Sequence, residues 1–424
     1  MKKVDSNRDR IINDITLFLI LFLSAGFTVT NDIMPNTLTR ILWGVVALLI
    51  VMGTKRFDRK LVIITASICL IIAVNTLLND ASLKIAVFYC IGFAVAFLYA
   101  NKVRYDVFAD SYVRIMTFLC VISLILWAFF WVVPSSRNWF VVENAKGNLY
   151  NDLWLFSTAV NYQGMPRNQG MFWEPGAFQT FITMALLIEI NKEEMSLKRI
   201  VVFILSIVTT FSTTGYFIIF AVTVYILYVL MQKNKKSPNK QDKMRIAFII
   251  AGVVVVLLLL WQTLFDTSTY SVFGKIINFF KSGGYGEKVS SVSIRIDSVI
   301  RPIGVFFKYP IFGCGHENLR DILYDYTNGM NTCTFVNWFA VYGVFFGVIM
   351  SCGTYKLIRK ITQSKLSIFI CLCIFLLSII SEDYTNSPII MLFILEGFRR
   401  NEEVVPQNGS KKDEEVLSQN CSDK

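Results

Sequence analysis

The sequence predicts an all-α protein threaded repeatedly through a membrane, and three features carry that prediction. Of its 424 residues, 54% are apolar and 17% charged, where a soluble domain carries about 25% charge. The apolar residues fall in blocks close to the roughly 20 that a helix needs to cross a bilayer core. The 41 Lys and Arg, against 30 Asp and Glu, gather between those blocks. This composition excludes a soluble enzyme, a disordered chain and a disulfide-rich secreted module. It also excludes an outer-membrane barrel, whose strands would alternate apolar and polar residues over about ten positions.

Twelve spans follow, near residues 15–29, 38–53, 61–78, 83–100, 113–133, 176–190, 199–211, 213–231, 246–263, 333–354, 366–381 and 386–398. The first block follows a basic stretch without a small-residue cleavage site and reads as an uncleaved anchor. The run from Arg199 to Met231 is too long for one helix. Phe211-Ser212-Thr213-Thr214-Gly215 divides it, because Ser and Thr cap helices and Gly turns. Residues 1–398 then make a single transmembrane domain with two large outer loops, about 134–175 and 264–332, and the polar tail 399–424 is expected to be disordered.

Lys and Arg concentrate on the cytoplasmic side of membrane proteins. With the N-terminus inside, the inner segments hold 29 of the 41 basic residues, and the short outer loops hold only Arg40 and Lys84. Both termini are thereby assigned to the cytoplasm. The net charge of +11 reads as a topology signal supported by anionic membrane lipid, not as nucleic-acid binding. No Cys/His spacing for zinc or iron–sulfur is visible. Cys314 and Cys333, in or beside the second outer loop, read as free thiols in preference to a disulfide.

The spans carry no charge in their central parts; Glu189 sits at an inner end. Pumps and ion-coupled carriers place ionisable groups there, so any chemistry belongs in the outer loops. The first loop ends in Arg167-Asn168-Gln169-Gly170-Met171-Phe172-Trp173-Glu174-Pro175-Gly176. Pro after Glu reads as a helix start, and a helix N-terminus near an arginine suits a phosphate. An arginine snorkelling to lipid phosphates fits the same residues. In the second loop, Arg295 to Lys308 has apolar residues at helical spacing, as in a helix lying in the interface, with Pro302 placed to interrupt it. Gly313 and Gly315 permit a tight turn or a close approach to a ligand. Between them and Asn318 stands the only histidine, His316, either a general base or a loop hydrogen-bonder. Trp139, Trp154, Tyr162 and Trp173 would stack on sugars or anchor the loops at the interface.

These fragments, in this order and sidedness, resemble the O-antigen polymerase and ligase superfamily of bacterial envelopes. Its first-loop pattern, an arginine followed by G-aromatic-x-E-P, is similar to Arg167, Gly170, Phe172 and Glu174-Pro175. Its serine-rich helix-pair turn is similar to the segment from Phe211 to Gly215. Its second-loop pattern, an arginine followed by P-x-x-G-x-G-x-x-N, is similar to Arg295 and Pro310 to Asn318, and the helix through Tyr342-Gly343 resembles the one that follows. The likeness covers roughly residues 160–350. Where ligases of the superfamily carry a His-Asn pair, this chain has Thr332-Cys333, which favours a polymerase.

The resemblance implies a GT-C-like glycosyltransferase in the bacterial inner membrane, independent of cofactor and metal. It would move a growing glycan from undecaprenyl pyrophosphate to the next lipid-linked repeat unit at the outer face. Arg167, Glu174, Arg295 and His316 would be catalytic: the arginines hold the pyrophosphate, and Glu174 or His316 takes the acceptor proton unless Glu174 only orients Arg167. Arg301, Gly313, Gly315, Asn318 and Trp173 would bind substrate. The lipid-linked oligosaccharide, membrane lipid and a chain-length regulator are the implied partners. A ligase, or a flippase without enzymatic activity, is the alternative.

Overall fold

The computed structural model describes residues 7–24, 36–51, 57–143, 149–159, 166–236, 291–327, 331–380 and 382–400. Its helices are α1 (Asn7–Ser24), α2 (Asn36–Val51), α3 (Arg59–Leu78), α4 (Leu83–Lys102), α5 (Tyr105–Val132), α6 (Pro175–Ile190), α7 (Leu197–Thr209) and α8 (Thr213–Lys236). They continue with α9 (Ser291–Lys308), α10 (His316–Thr327), α11 (Thr334–Ile361), α12 (Lys365–Ile379) and α13 (Pro388–Phe398). Every predicted span except the ninth overlaps one of these helices; residues 246–263, the part 264–290 of the second outer loop, Tyr162 of the first and the tail from Asn401 lie outside the described residues. Among the described residues, five helices (α3, α4, α5, α8 and α11) are long and apolar enough by length and composition to cross a membrane. The chain is an integral membrane protein.

Length alone undervalues two of the others. Every residue of α6 and every residue of α13 after Pro388 is buried, α13 by α11 and α4 and α6 by α5 and α7. A helix wrapped by protein on all sides does not face lipid, so it need not match the bilayer thickness. Aromatic packing knits the α5–α13 contact: the Phe393 ring lies edge-on to Phe108 at 5.2 Å and to Tyr112 at 4.8 Å. The Tyr112 hydroxyl donates to the Phe181 carbonyl at 2.9 Å, tying in α6. The split between α7 and α8 falls at Phe211, which adopts a left-handed φ of 48°, whereas Gly215, expected to make the turn, lies inside α8.

The connections depart from expectation in three ways. The first outer loop is not wholly irregular: β1 (Val141–Glu143), β2 (Leu149–Asp152) and β3 (Ser157–Ala159) form an antiparallel three-stranded meander. Strands of three or four residues are too short to show an alternating pattern, so the all-α reading missed them. The helix α9 also runs through Pro302 without breaking. Finally, α1 begins at Asn7, well before the predicted span, because Asp14 is held by a two-pronged contact with Arg114 of α5, at 2.7 Å and 3.2 Å.

The P-x-x-G-x-G segment serves backbone packing. The amides of Cys314 and Gly315 donate to the carbonyls of Ala340 and Val341 at 2.9 and 3.1 Å, and Val344 N donates to Pro310 O at 2.8 Å. This exchange occurs where α11 departs from helical geometry at Gly343 (φ 82°). Asn75, buried in α3, donates to both Phe312 O and Val341 O, at 2.6 and 2.7 Å. A Cβ on Gly313 would run into the Val341 carbonyl, and one on Gly343 into that of Ile311. Gly343→Ala is therefore expected to cost at least about 2 kcal/mol from left-handed strain alone, read as a lowered thermal midpoint in detergent. An unchanged midpoint would show that the kink is dispensable.

Candidate functional site

One end of the bundle gathers residues from four distant parts of the chain. The first is the strap before α6. Asn168 N donates to Thr209 O at 3.0 Å, and its side chain to Ser123 Oγ and Thr209 Oγ1 at 3.1 and 2.9 Å. Trp127 Nε1 donates to Pro166 O at 2.8 Å. The strap is thus laid across α5 and the end of α7. Arg167 is held in the same way: its Nε donates to Thr210 O at 2.9 Å and one terminal nitrogen to Phe211 O at 3.4 Å. These carbonyls close the C-terminal, electronegative end of α7, which favours a cation.

Glu174 is the N-cap residue of α6, as Glu-Pro predicts, yet its carboxylate caps no amide of that helix. It is hydrogen-bonded to Glu382, from the connection between α12 and α13. Glu382 is 6% exposed and lies against the first turn of α6, where a Cβ on Gly176 would overlap its carboxyl group. Trp173 Nε1 donates to Glu382 Oε2 at 3.3 Å, and the Trp173 ring meets Tyr384 edge-on at 5.5 Å. Thr334, first residue of α11, fixes the backbone here: its hydroxyl donates to Glu382 O and accepts from Tyr384 N, both at 2.7 Å.

Arg295, in the first turns of α9, completes the group. Burial draws its guanidinium below the ordinary arginine value; the carboxyl groups of Glu382 and Glu174 oppose that shift and Arg167 adds to it. Burial pushes Glu382 well above the ordinary carboxylate range. The neighbouring Glu174 raises it further, while Arg295 and the Trp173 hydrogen bond pull it down. Two carboxyl groups in contact cannot both ionise cheaply, and burial makes Glu382 the one that holds its proton more firmly. The result is a cluster of two arginines and two carboxyl groups.

The structure thus brings Arg167, Trp173, Glu174 and Arg295 together. Arg301 is engaged elsewhere: its Nε donates to Asp297 at 3.1 Å, and its guanidinium covers the Tyr326 ring, 3.4 Å from the centroid. Gly313 and Gly315 are occupied by α11 and by Asn79, and Asn318 donates to Cys314 O at 2.9 Å. His316 begins α10, with a buried Nδ1 that makes no hydrogen bond among the described residues. It is not among the groups acting on Arg295 or Glu382. Cys314 and Cys333 are both buried and form no disulfide, and burial pushes the Cys314 thiol up to about 11.

Glu382 is the residue that sequence reasoning missed. Its trace is slight: a short polar connection, Glu382-Asp383-Tyr384-Thr385-Asn386, with two adjacent carboxylates between apolar blocks.

The architecture is that of a membrane protein, a helical bundle with a polar, arginine-bearing end. Residues 17–310, over two thirds of the chain, match the model of the WcaD colanic acid polymerase family. The chain belongs to that family, and so to the polysaccharide polymerases. No curated protein matches the chain.

Proposed function

We propose that the protein polymerises surface polysaccharide by transferring a growing glycan from undecaprenyl pyrophosphate to the next lipid-linked repeat unit. The reaction takes place at the outer face of the bacterial inner membrane, with both termini in the cytoplasm. The observation that carries this reading is the meeting of Arg167, Arg295, Glu174 and Glu382 at one end of the bundle.

An acceptor hydroxyl attacks the anomeric carbon of the donor's first sugar. The carbon–oxygen bond to pyrophosphate breaks, and its electron pair leaves with the phosphate oxygen. Negative charge therefore grows on the leaving group as a proton leaves the acceptor. Arg167 and Arg295, always charged and planar, stabilise the first. Glu174, exposed and beside Arg295, takes the proton. Protonated Glu382 holds Glu174 in place by donating to it. Arg301, Gly313, Gly315, Asn318 and His316 shape the second segment and present Arg295.

Purified protein in liposomes given a lipid-linked repeat unit should produce a ladder of longer glycans. Passage of the unit across the bilayer without elongation would instead mean a flippase, and transfer only to lipid A core a ligase. A chain-length regulator, added to the same liposomes, would narrow the ladder.

A further inference from the structure

The opposite end of the same helices holds a second constellation. Lys60 opens α3, Lys356, Arg359 and Lys360 close α11, and Arg399 follows α13; with Phe398 they line a cavity of about 280 Å³. Along α11 this lies roughly 40 Å from Thr334, at 1.5 Å per residue. Sidedness alone requires only that cations be on this face, where they would normally splay into water. Here two of them turn inward on one aromatic ring, Lys356 Nζ 4.7 Å and Lys60 Nζ 5.8 Å from the centroid of Phe398, while Lys360 lies over Tyr105 and Arg359 over Tyr355. Lys360 Nζ donates to the Glu396 backbone carbonyl at 2.7 Å, and Arg399 to the Ala100 carbonyl at 2.9 Å.

The acids nearby do not balance this charge. No carboxylate among the described residues lies within ion-pairing distance of the five. Asp58 is spent capping α3, its oxygen accepting from Lys60 N at 2.8 Å, and Asp106 pairs with Arg104 at 3.0 Å. Glu396 faces Lys360 and Arg399 electrostatically, but it is fully buried. Among the described residues, two acids, Asp58 and Glu396, against five cations leave a positive excess in a concave site.

We propose that this cavity binds a phosphate group, foremost the headgroup of an anionic phospholipid in the cytoplasmic leaflet. Basic pockets between membrane helices on this side are suited to such headgroups. Two guanidiniums offer two-pronged contacts and three ammoniums add point charge. The exposed side chains of Phe57 and Tyr355, flanking these residues in sequence, give the acyl chains an apolar surface.

The test uses full-length protein in phosphatidylcholine nanodiscs, with and without phosphatidylglycerol, and retained lipid counted by native mass spectrometry. Lys356→Gln/Arg359→Gln should weaken phosphatidylglycerol retention about tenfold or more, at roughly 1 kcal/mol per charge. Lys356→Arg should keep it, and the thermal midpoint in pure phosphatidylcholine should match wild type for both. A second arm titrates inorganic phosphate into pure phosphatidylcholine discs. Stabilisation of wild type but not the double variant, without preference for anionic lipid, supports the site with a soluble phosphate as its source. Equal phosphatidylglycerol retention by wild type and double variant, with no phosphate effect, overturns the proposal.

Discussion

Arg295→Ala should lower ladder formation by about a hundred- to a thousandfold, the range for removing one preorganised donor aimed at developing negative charge. The expectation rests on where the guanidinium stands: partly buried, beside two carboxyl groups and a second arginine. Arg295→Lys should fail nearly as badly, because an ammonium restores the charge without the planar, two-pronged geometry that a pyrophosphate oxygen pair requires. Arg167→Ala should be comparably damaging in activity, but with an added loss of stability, since Arg167 also closes the end of α7 through Thr210 and Phe211. Thermal midpoints measured alongside the ladders separate the two effects. Full activity of Arg295→Lys would reject the clamp, and a lowered midpoint that accounts for all the lost activity of Arg295→Ala would reduce the residue to a structural part.

Local pattern was enough to find most of this architecture. Blocks of apolar residues mark the helices because each must satisfy its backbone internally in lipid, and Ser/Thr with Gly marks the α7–α8 reversal for reasons of capping. Arg167, Glu174 and Arg295 were legible because each stands near a helix start in a polar segment. The Gly313–Gly315 pattern was legible too, but not its use. A glycine that lets a ligand approach and one that lets a neighbouring part of the chain approach leave the same trace in sequence; only the Val341 carbonyl against Gly313 and the Asn79 side chain against Gly315 tell them apart. Glu382 could not be found by spacing at all. Its partner Glu174 is far away in the chain, and the contact exists because α13 and α6 are both buried at the centre of the bundle.

Glu174→Gln and Glu382→Gln should therefore behave oppositely despite their contact. Removing the base should cost about a hundred- to ten-thousandfold in ladder formation. Glu382→Gln should stay close to wild type near neutral pH, because a protonated acid and an amide are both neutral and both donate to Glu174. The difference emerges with alkali. The pKa of Glu382 lies well above the ordinary carboxylate range, through burial and the neighbouring Glu174. The folded protein thus holds a proton that the unfolded chain has already lost, so stability falls as pH rises from the ordinary carboxylate range through the raised value. Activity falls over the same upper window, as a second negative charge appears beside Glu174. Glu382→Gln has no proton to lose: its activity and its thermal midpoint should hold on the alkaline side where those of wild type decline. An identical alkaline decline in the variant, or a variant as inactive as Glu174→Gln at neutral pH, would mean that Glu382 is an anion in the working enzyme and serves Arg295 as its counter-charge.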